Sequence, residues 1–303
     1  MILYKYRGNS TNTDKIFTDK KVWLSNAAGL NDPFECSIQE IAKDWIDEHV
    51  KEMKQGHLSG LVFAFLQSKK SNDQFFGLSI SDAEKFMDTF KTLTSFDEKY
   101  NHYREFMKSR NGHYPSDPSA TFSEFDKQLN EAGIFSLSET SENQLMWSHY
   151  AEDTKGIAIG FEAIPKSKLS DENHCVKVNY SDTLPAFTGK GFLNQVSFYM
   201  DEYGRPYSKG QISFSDPTFK LAISTKPTVW NYECEWRYIE ECSGAFPLPG
   251  KITEIVFGLK CSEENRNRYK KLAKLNFAEE ISFYEIQKVL NTNSIIKVKL
   301  ADS

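Results

Sequence analysis

The stretch TKPTVWNYECEWRYIEE, residues 225–241, sets Glu233 and Glu235 on either side of one cysteine inside a strongly aromatic run. Read as an extended strand, its side chains alternate faces. Tyr232, Cys234, Trp236 and Tyr238 then share one face, and Glu233, Glu235 and Arg237 share the other. The aromatic face is the natural core face, so both carboxylates point the same way with a cation beside them. The same test on FSLS, residues 135–138, turns Phe135 and Leu137 inward and leaves Ser136 and Ser138 together on the opposite face. On LYKYRG, residues 3–8, Leu3, Lys5 and Arg7 share a face. Taken singly, each pattern is an ordinary solvated strand face, where Glu–Arg pairs stabilise only slightly.

Working outward, strand-like segments stand at both ends of the chain with helices between. ILYKYRG (2–8) is β-prone and ends in glycine. STNTDKIFTDK (10–20) sets polar capping residues ahead of Ile16 and Phe17 and predicts a short helix. KVWLSNAAGLNDPFE (21–35) reads as a second strand and a turn-rich loop, because Asn-Asp-Pro breaks a helix. Residues 39–132 read as mostly helical, with Trp45, His49, Val50 and Met53 at helical spacing. Phe86, Phe90 and Leu93 repeat that spacing, as do Tyr103 and Phe106, and SRNGHYPSDPS (109–119) is a loop between helices.

GIFSLSET (133–140) returns to strand. SENQLMWSHYAED (141–153) places Ser141 and Gln144 at capping-box spacing before a helix. In the strand KGIAIGFE (155–162), Ile157, Ile159 and Phe161 take one face, and the small Ala158 and Gly160 invite close approach on the other. CVKVNYSD (175–182) is a further strand, and residues 185–216 read as a long loop or irregular insertion. SDPTFKLAIS (215–224) has Asp216 as N-cap and Pro217 at the first helical position. KITEIVFGL (251–259), SEENRNRYKKLAKLN (262–276), ISFYEIQ (281–287) and SIIKVKL (294–300) read as strand, helix and two strands. The expected architecture is α+β, a single domain over residues 1–303 with 39–132 as a helical insertion or lid.

The chain has 303 residues and a formal net charge of −5, which gives no electrostatic basis for a general nucleic-acid binder. Hydrophobic residues are 39% and charged residues 26%, as in a soluble globular protein, and no apolar run is long enough for a membrane helix. MILYKYRG is too short and too polar for a secretory signal. Cys36, Cys175, Cys234, Cys242 and Cys261 are scattered without a Cys-x-x-Cys pair, the usage of a reduced cytoplasmic protein without a zinc site.

SLSETSENQLMWSHYAEDTKGIAIGFE (136–162) and WNYECEWRYI (230–239), with LYKYR (3–7) and LNDPFE (30–35), resemble the uncharacterised bacterial family DUF2971. The order of short pieces also resembles the R-S-E type of ADP-ribosyltransferase: an arginine on the first strand, a Ser-x-Ser strand, then Glu-x-Glu. Here these are Arg7, Ser136 to Ser138, and Glu233 to Glu235. That resemblance implies a split, mostly antiparallel β-sheet core and NAD as substrate, with no metal. It assigns Glu235 to the ribose, where a carboxylate stabilises an oxocarbenium-like transition state, and Glu233 to the acceptor. Ser136 would contact the ribose or hold Glu235, with Ser138 beside it, and Arg7 would pair with a phosphate. Trp147 or Tyr150 would stack on nicotinamide, and His149 on the same segment joins the nucleotide-binding set. The acceptor stays open between a protein, a nucleic acid, a small molecule and water. A toxin or phage-defence role suits such a protein.

Three other readings compete. A metal-dependent nuclease or phosphodiesterase would draw magnesium ligands from Asp32, Glu35, Glu162, Glu233 and Glu235, with Lys226 nearby. A nucleotide-sensing module would bind without turnover. In a purely structural protein YECEWR is a buried core edge, with both glutamates paired to Arg237 and Lys226. A cleft at this strand separates the first readings from the last.

Overall fold

The computed structural model describes residues 1–112, 114–115, 117–187, 192–200, 206–279 and 281–301. They form two compact units. One comprises Met1–Gln39 and Phe125–Ser303, the other Glu40–Glu124.

In chain order the helices are α1 (Thr11–Thr18), α2 (Lys43–Ser71), α3 (Ile80–Thr92), α4 (Phe96–Asn111), α5 (Ala120–Glu131), α6 (Gln144–Tyr150), α7 (Pro217–Ser224) and α8 (Glu263–Asn276). The strands are β1 (Ile2–Arg7), β2 (Lys21–Leu24), β3 (Gly133–Ser138), β4 (Ile157–Glu162), β5 (Cys175–Lys177), β6 (Asn179–Tyr180) and β7 (Asn194–Met200). They continue as β8 (Pro206–Ile212), β9 (Thr225–Lys226), β10 (Glu235–Glu240), β11 (Gly244–Pro247), β12 (Lys251–Phe257), β13 (Ser282–Lys288) and β14 (Ile295–Lys299). The fold is therefore mixed α and β.

Eight strands form the main sheet in the order β14-β13-β12-β4-β1-β3-β10-β5. Every neighbouring pair is antiparallel except β12 and β13, which are parallel and joined in sequence through α8. Alternation along β1 divides the core between the two faces. Leu3 joins Phe17 of α1, Ile255 and Tyr269 of α8 on one side. Tyr4 and Tyr6 join Met146 and Trp147 of α6 on the other. The close approach expected over the small face of β4 comes from the chain itself: a Cβ on Gly160 would stand 3.1 Å from Ile2 Cγ2 and 3.3 Å from the Tyr4 ring.

The centre of the sheet is not continuously paired. β1 and β4 match over six residue pairs, and so do β3 and β10, whereas β1 meets β3 only at Tyr4↔Ser138. Past that point β1 and β3 part. Ser25 takes the far end of the freed β3 edge, exchanging hydrogen bonds of 2.9 and 2.7 Å with Ile134. Between these points Lys5 Nζ donates to Ser136 O at 2.8 Å, supplying a donor that a paired strand would otherwise provide.

The second unit is helical. Leu58, Leu61 and Phe65 of α2 pack with Met87 and Phe90 of α3 and Tyr103 and Phe106 of α4. Trp45 and His49 stack at 4.6 Å, one helical turn apart. Ser95 and Glu98 form a capping box on α4. Phe125 and Leu129 of α5 pack with Phe219, Ile223 and Ile239 in the sheet-bearing unit.

Two local expectations are corrected. The cap of α6 is Asn143, whose side chain accepts from Leu145 N and Met146 N at 2.9 and 3.2 Å. Ser141 instead offers its carbonyl to the Trp147 indole N–H at 2.7 Å. Within 185–216, β7 and β8 pair antiparallel where irregular chain was expected, and residues 188–191 and 201–205 of that stretch lie outside the described residues. Residues 113 and 116 of the expected 109–119 loop lie outside them as well. Among the described residues no helix is long and apolar enough to cross a membrane.

Candidate functional site

Pro217 opens α7 and Asp216 caps it, accepting from Phe219 N at 2.8 Å. The helix delivers the chain into β9 and Lys226. Pro227 then starts a 3-10 turn, Thr228–Glu233, and Cys234 reverses direction in the left-handed region at φ 46°. β10 begins only at Glu235. The continuous strand expected across residues 232–238 is thus interrupted, and Glu233 is carried by the turn. Several hydrogen bonds pin that turn. Ser138 Oγ donates to Glu233 O at 2.7 Å, Asn143 Nδ2 to Tyr232 O at 2.7 Å, and Glu235 N to Tyr180 OH at 2.8 Å.

Glu233 and Glu235 still converge, on Lys226. Its Nζ stands 2.7 Å from Glu233 Oε2, 3.1 Å from Glu235 Oε2 and 3.2 Å from Glu35 Oε1. Arg237 closes the cluster. Nε donates to Glu235 Oε1 at 3.0 Å, Nη1 to Ile223 O at 2.7 Å, and Nη2 to Glu35 Oε2. All five residues are buried. Buried charges persist only when paired and hydrogen-bonded, and here three carboxylates meet two cations.

Burial works to raise the Glu235 carboxyl, but the Arg237 and Lys226 charges outweigh it. With help from the Ser136 hydroxyl they hold it down to about 2. For Glu35 burial prevails over the same two cations, and its carboxyl is pushed up. Burial alone would lower Lys226; the three carboxylates reverse that and raise it. Tyr150 OH donates to Glu233 Oε1 at 2.6 Å and accepts from Asn31 Nδ2 at 2.7 Å. Burial and this bond to Glu233 both push its phenol upward.

The cluster forms one wall of a cavity of about 780 Å³ between β1 and β3. Lys226, Glu233, Glu235 and Tyr150 face it from one side; Lys5 and Arg7 of β1, Ser136 of β3, Lys15 of α1 and Lys21 of β2 line the rest. Arg7 is partly buried. Burial pulls its pKa below the usual value, and its Nε has no hydrogen-bond partner among the described residues.

The structure brings together Glu233, Glu235, Arg7, Ser136 and Tyr150 of the residues marked out in the sequence. It places three elsewhere. Ser138 is fully buried, with its hydroxyl committed to the Glu233 carbonyl. Trp147 lies in the core, edge-on to Tyr6 at 5.0 Å, and has no face left for a ligand. His149 is exposed and lines a separate cleft of about 340 Å³ that adjoins the cavity at Asn31 and Tyr150. The sequence marks Glu35 only as a possible metal ligand. It marks Lys226 both beside that metal site and, with Arg237, as the partner of Glu233 and Glu235 in the purely structural reading; ion pairs of Lys226 with both glutamates and of Arg237 with Glu235 are present. The Lys226 ammonium holds the point where the three carboxylates meet, and among the described residues no group of three His, Cys, Asp or Glu is arranged around a metal position. Lys5 drew notice only for sharing a face with Arg7, and Asn31 only as part of LNDPFE.

Fold and site define a mixed α/β protein whose mostly antiparallel sheet parts around a cavity walled by a buried ionic cluster. Residues 146–238 match the model of the family DUF2971, described as a protein of unknown function. The matched stretch runs from Met146 to Tyr238 and includes Tyr150, Lys226, Glu233, Glu235 and Arg237. No curated protein and no solved structure gives a significant match.

Proposed function

We propose that the cavity binds NAD and that the protein cleaves the nicotinamide–ribose bond, passing ADP-ribose to an acceptor or to water. One observation carries this reading. Arg7, Ser136 and Glu235, far apart in sequence, stand on the adjacent strands β1, β3 and β10 around a single cavity. That is the arrangement an ADP-ribosyltransferase-like split sheet would have.

As the C–N bond breaks, its electron pair leaves with nicotinamide and positive charge develops on the ribose. Glu235 is a fixed anion at neutral pH, held ionised by Arg237 and Lys226. An anion that needs no reorganisation is suited to stabilise such charge. Glu233 orients the incoming acceptor, and Tyr150 fixes the Glu233 carboxylate. Arg7, whose Nε has no hydrogen-bond partner among the described residues, takes a phosphate through its planar fork.

The test is nicotinamide release from NAD by purified protein. Glu235→Gln keeps shape and removes charge, and is expected to slow release by about 100-fold or more. A variant with the full wild-type rate refutes the assignment. One observation favours a second reading. Both Glu235 oxygens are already engaged, by Arg237 and by Lys226, as they would be in a non-catalytic nucleotide sensor. NAD binding without turnover in wild type, unchanged in Glu235→Gln, would select the sensor.

A further inference from the structure

Of the four lysines that line the cavity, Lys5 and Lys226 are in opposite electrostatic situations. Lys226 is ringed by three carboxylates. Lys5 has no carboxylate within ion-pairing distance among the described residues. Its known contacts are the Ser136 carbonyl at 2.8 Å and the Phe135 ring, 4.7 Å from Nζ to the centroid. An ammonium has three N–H donors. One is used on Ser136 O, which leaves donors for the cavity that Lys5 lines. Arg7, two residues on and on the same face of β1, has an Nε without a hydrogen-bond partner among the described residues, and Lys15 and Lys21 add charge to the cavity lining. A partly buried cation with no carboxylate in ion-pairing range is poised for a ligand that brings negative charge.

We propose that Lys5 is a ligand-binding residue of this cavity, donating together with Arg7 to the diphosphate oxygens of a nucleotide. The proposal rests on the reading of the cavity as a nucleotide site and deepens it. It identifies a second contact on β1 and makes recognition depend on proton uptake. The groups around Lys5 fix the direction of that dependence. Burial lowers its pKa to about 8, and the Arg7 charge on the same strand adds to the fall. Glu235 of β10 and Glu233 of the preceding turn oppose it, and Lys226 of β9 reinforces it. An anionic ligand binds the protonated form better, so affinity must fall as pH rises through about 8. Arginine at this position would stay charged throughout.

The experiment is calorimetric titration with ADP-ribose, which has the diphosphate and lacks the scissile bond, at pH 7.0, 8.0, 9.0 and 9.5. Wild type is expected to lose about tenfold in affinity per pH unit above 8 and to take up close to one proton on binding at pH 9. Lys5→Arg should bind with little pH dependence. Lys5→Met should bind at least tenfold more weakly at pH 7 while still unfolding cooperatively, since it removes the ammonium of a partly buried side chain and keeps its apolar stem. Absence of ADP-ribose binding, a flat wild-type profile, or a decline equally steep in Lys5→Arg would each overturn the proposal. Nicotinamide release is read separately. Release without Lys5-dependent binding sinks only the role of Lys5; Lys5-dependent binding without release sinks only the catalytic reading.

Discussion

Arg237→Met tests whether the buried cluster holds the site together. The guanidinium is fully buried and serves three acceptors, Glu235, Glu35 and the Ile223 carbonyl. Its removal leaves three buried carboxylates around one cation, the Lys226 ammonium. Breaking a buried ion pair from one side costs about 3–5 kcal/mol, because the abandoned charge stays desolvated. Two carboxylates lose a partner here, which points to the upper half of that range. Partial relief is available, because the Glu35 carboxyl is already pushed up by burial and can become neutral. A loss of about 4 kcal/mol at pH 7 is therefore expected, shrinking as pH falls and Glu35, whose carboxyl is pushed up, takes up a proton. Urea unfolding followed by tryptophan fluorescence is the assay, since Trp23, Trp147, Trp230 and Trp236 all lie in the sheet-bearing unit. Adding Glu35→Gln should restore about 1–2 kcal/mol, because it removes one of the stranded charges. A loss below about 1 kcal/mol, or no recovery in the double variant, would refute the account of the cluster.

Two further outcomes follow from the same geometry. Glu235 is held at about 2 against an ordinary 4.5, so its contribution is complete above about pH 4.5 and disappears as pH falls toward 2. That loss should appear as an acid limb in the urea midpoint between about pH 4.5 and pH 2 that Glu235→Gln flattens. Glu35 has the opposite sign: its raised carboxyl is penalised when ionised, so protonating it returns stability. Trp236→Ala should cost about 2 kcal/mol, less than a fully buried tryptophan, because the ring is only partly buried at the core margin and its Nε1 donates to Glu139 at 2.8 Å. A melting temperature equal to wild type would show that the ring contributes no packing.

Much of the local structure was legible because its causes are local. The Asp216–Pro217 start of α7, the short helix after Ser10 and the alternation of β3 depend on neighbours a few residues away. The α6 cap was misplaced because Ser141 and Asn143 both offer side-chain acceptors. Asn143 caps, with its side-chain oxygen on Leu145 N and Met146 N, while the Ser141 carbonyl accepts from the Trp147 indole. Glu233 was assigned to a strand because alternation says nothing of a break. The break comes from Cys234 in a left-handed conformation, which non-glycine residues adopt rarely and which sequence patterns do not mark.

By itself the sequence determined the mixed class of the fold, the helical block before β3, and the grouping of Glu235 and Arg237 on one face of β10. Tertiary structure decided what that face meets. A strand face reads the same whether solvent, core or cavity lies beyond it, because alternation encodes which side chains go together and not what packs against them. Here the acidic face turns inward to two cations, one from its own strand and one delivered by β9, and to Glu35 from the LNDPFE loop. The parting of β1 from β3, which creates the cavity and leaves Lys5 with no carboxylate in ion-pairing range among the described residues, depends on pairings between distant segments and is written in no single one of them.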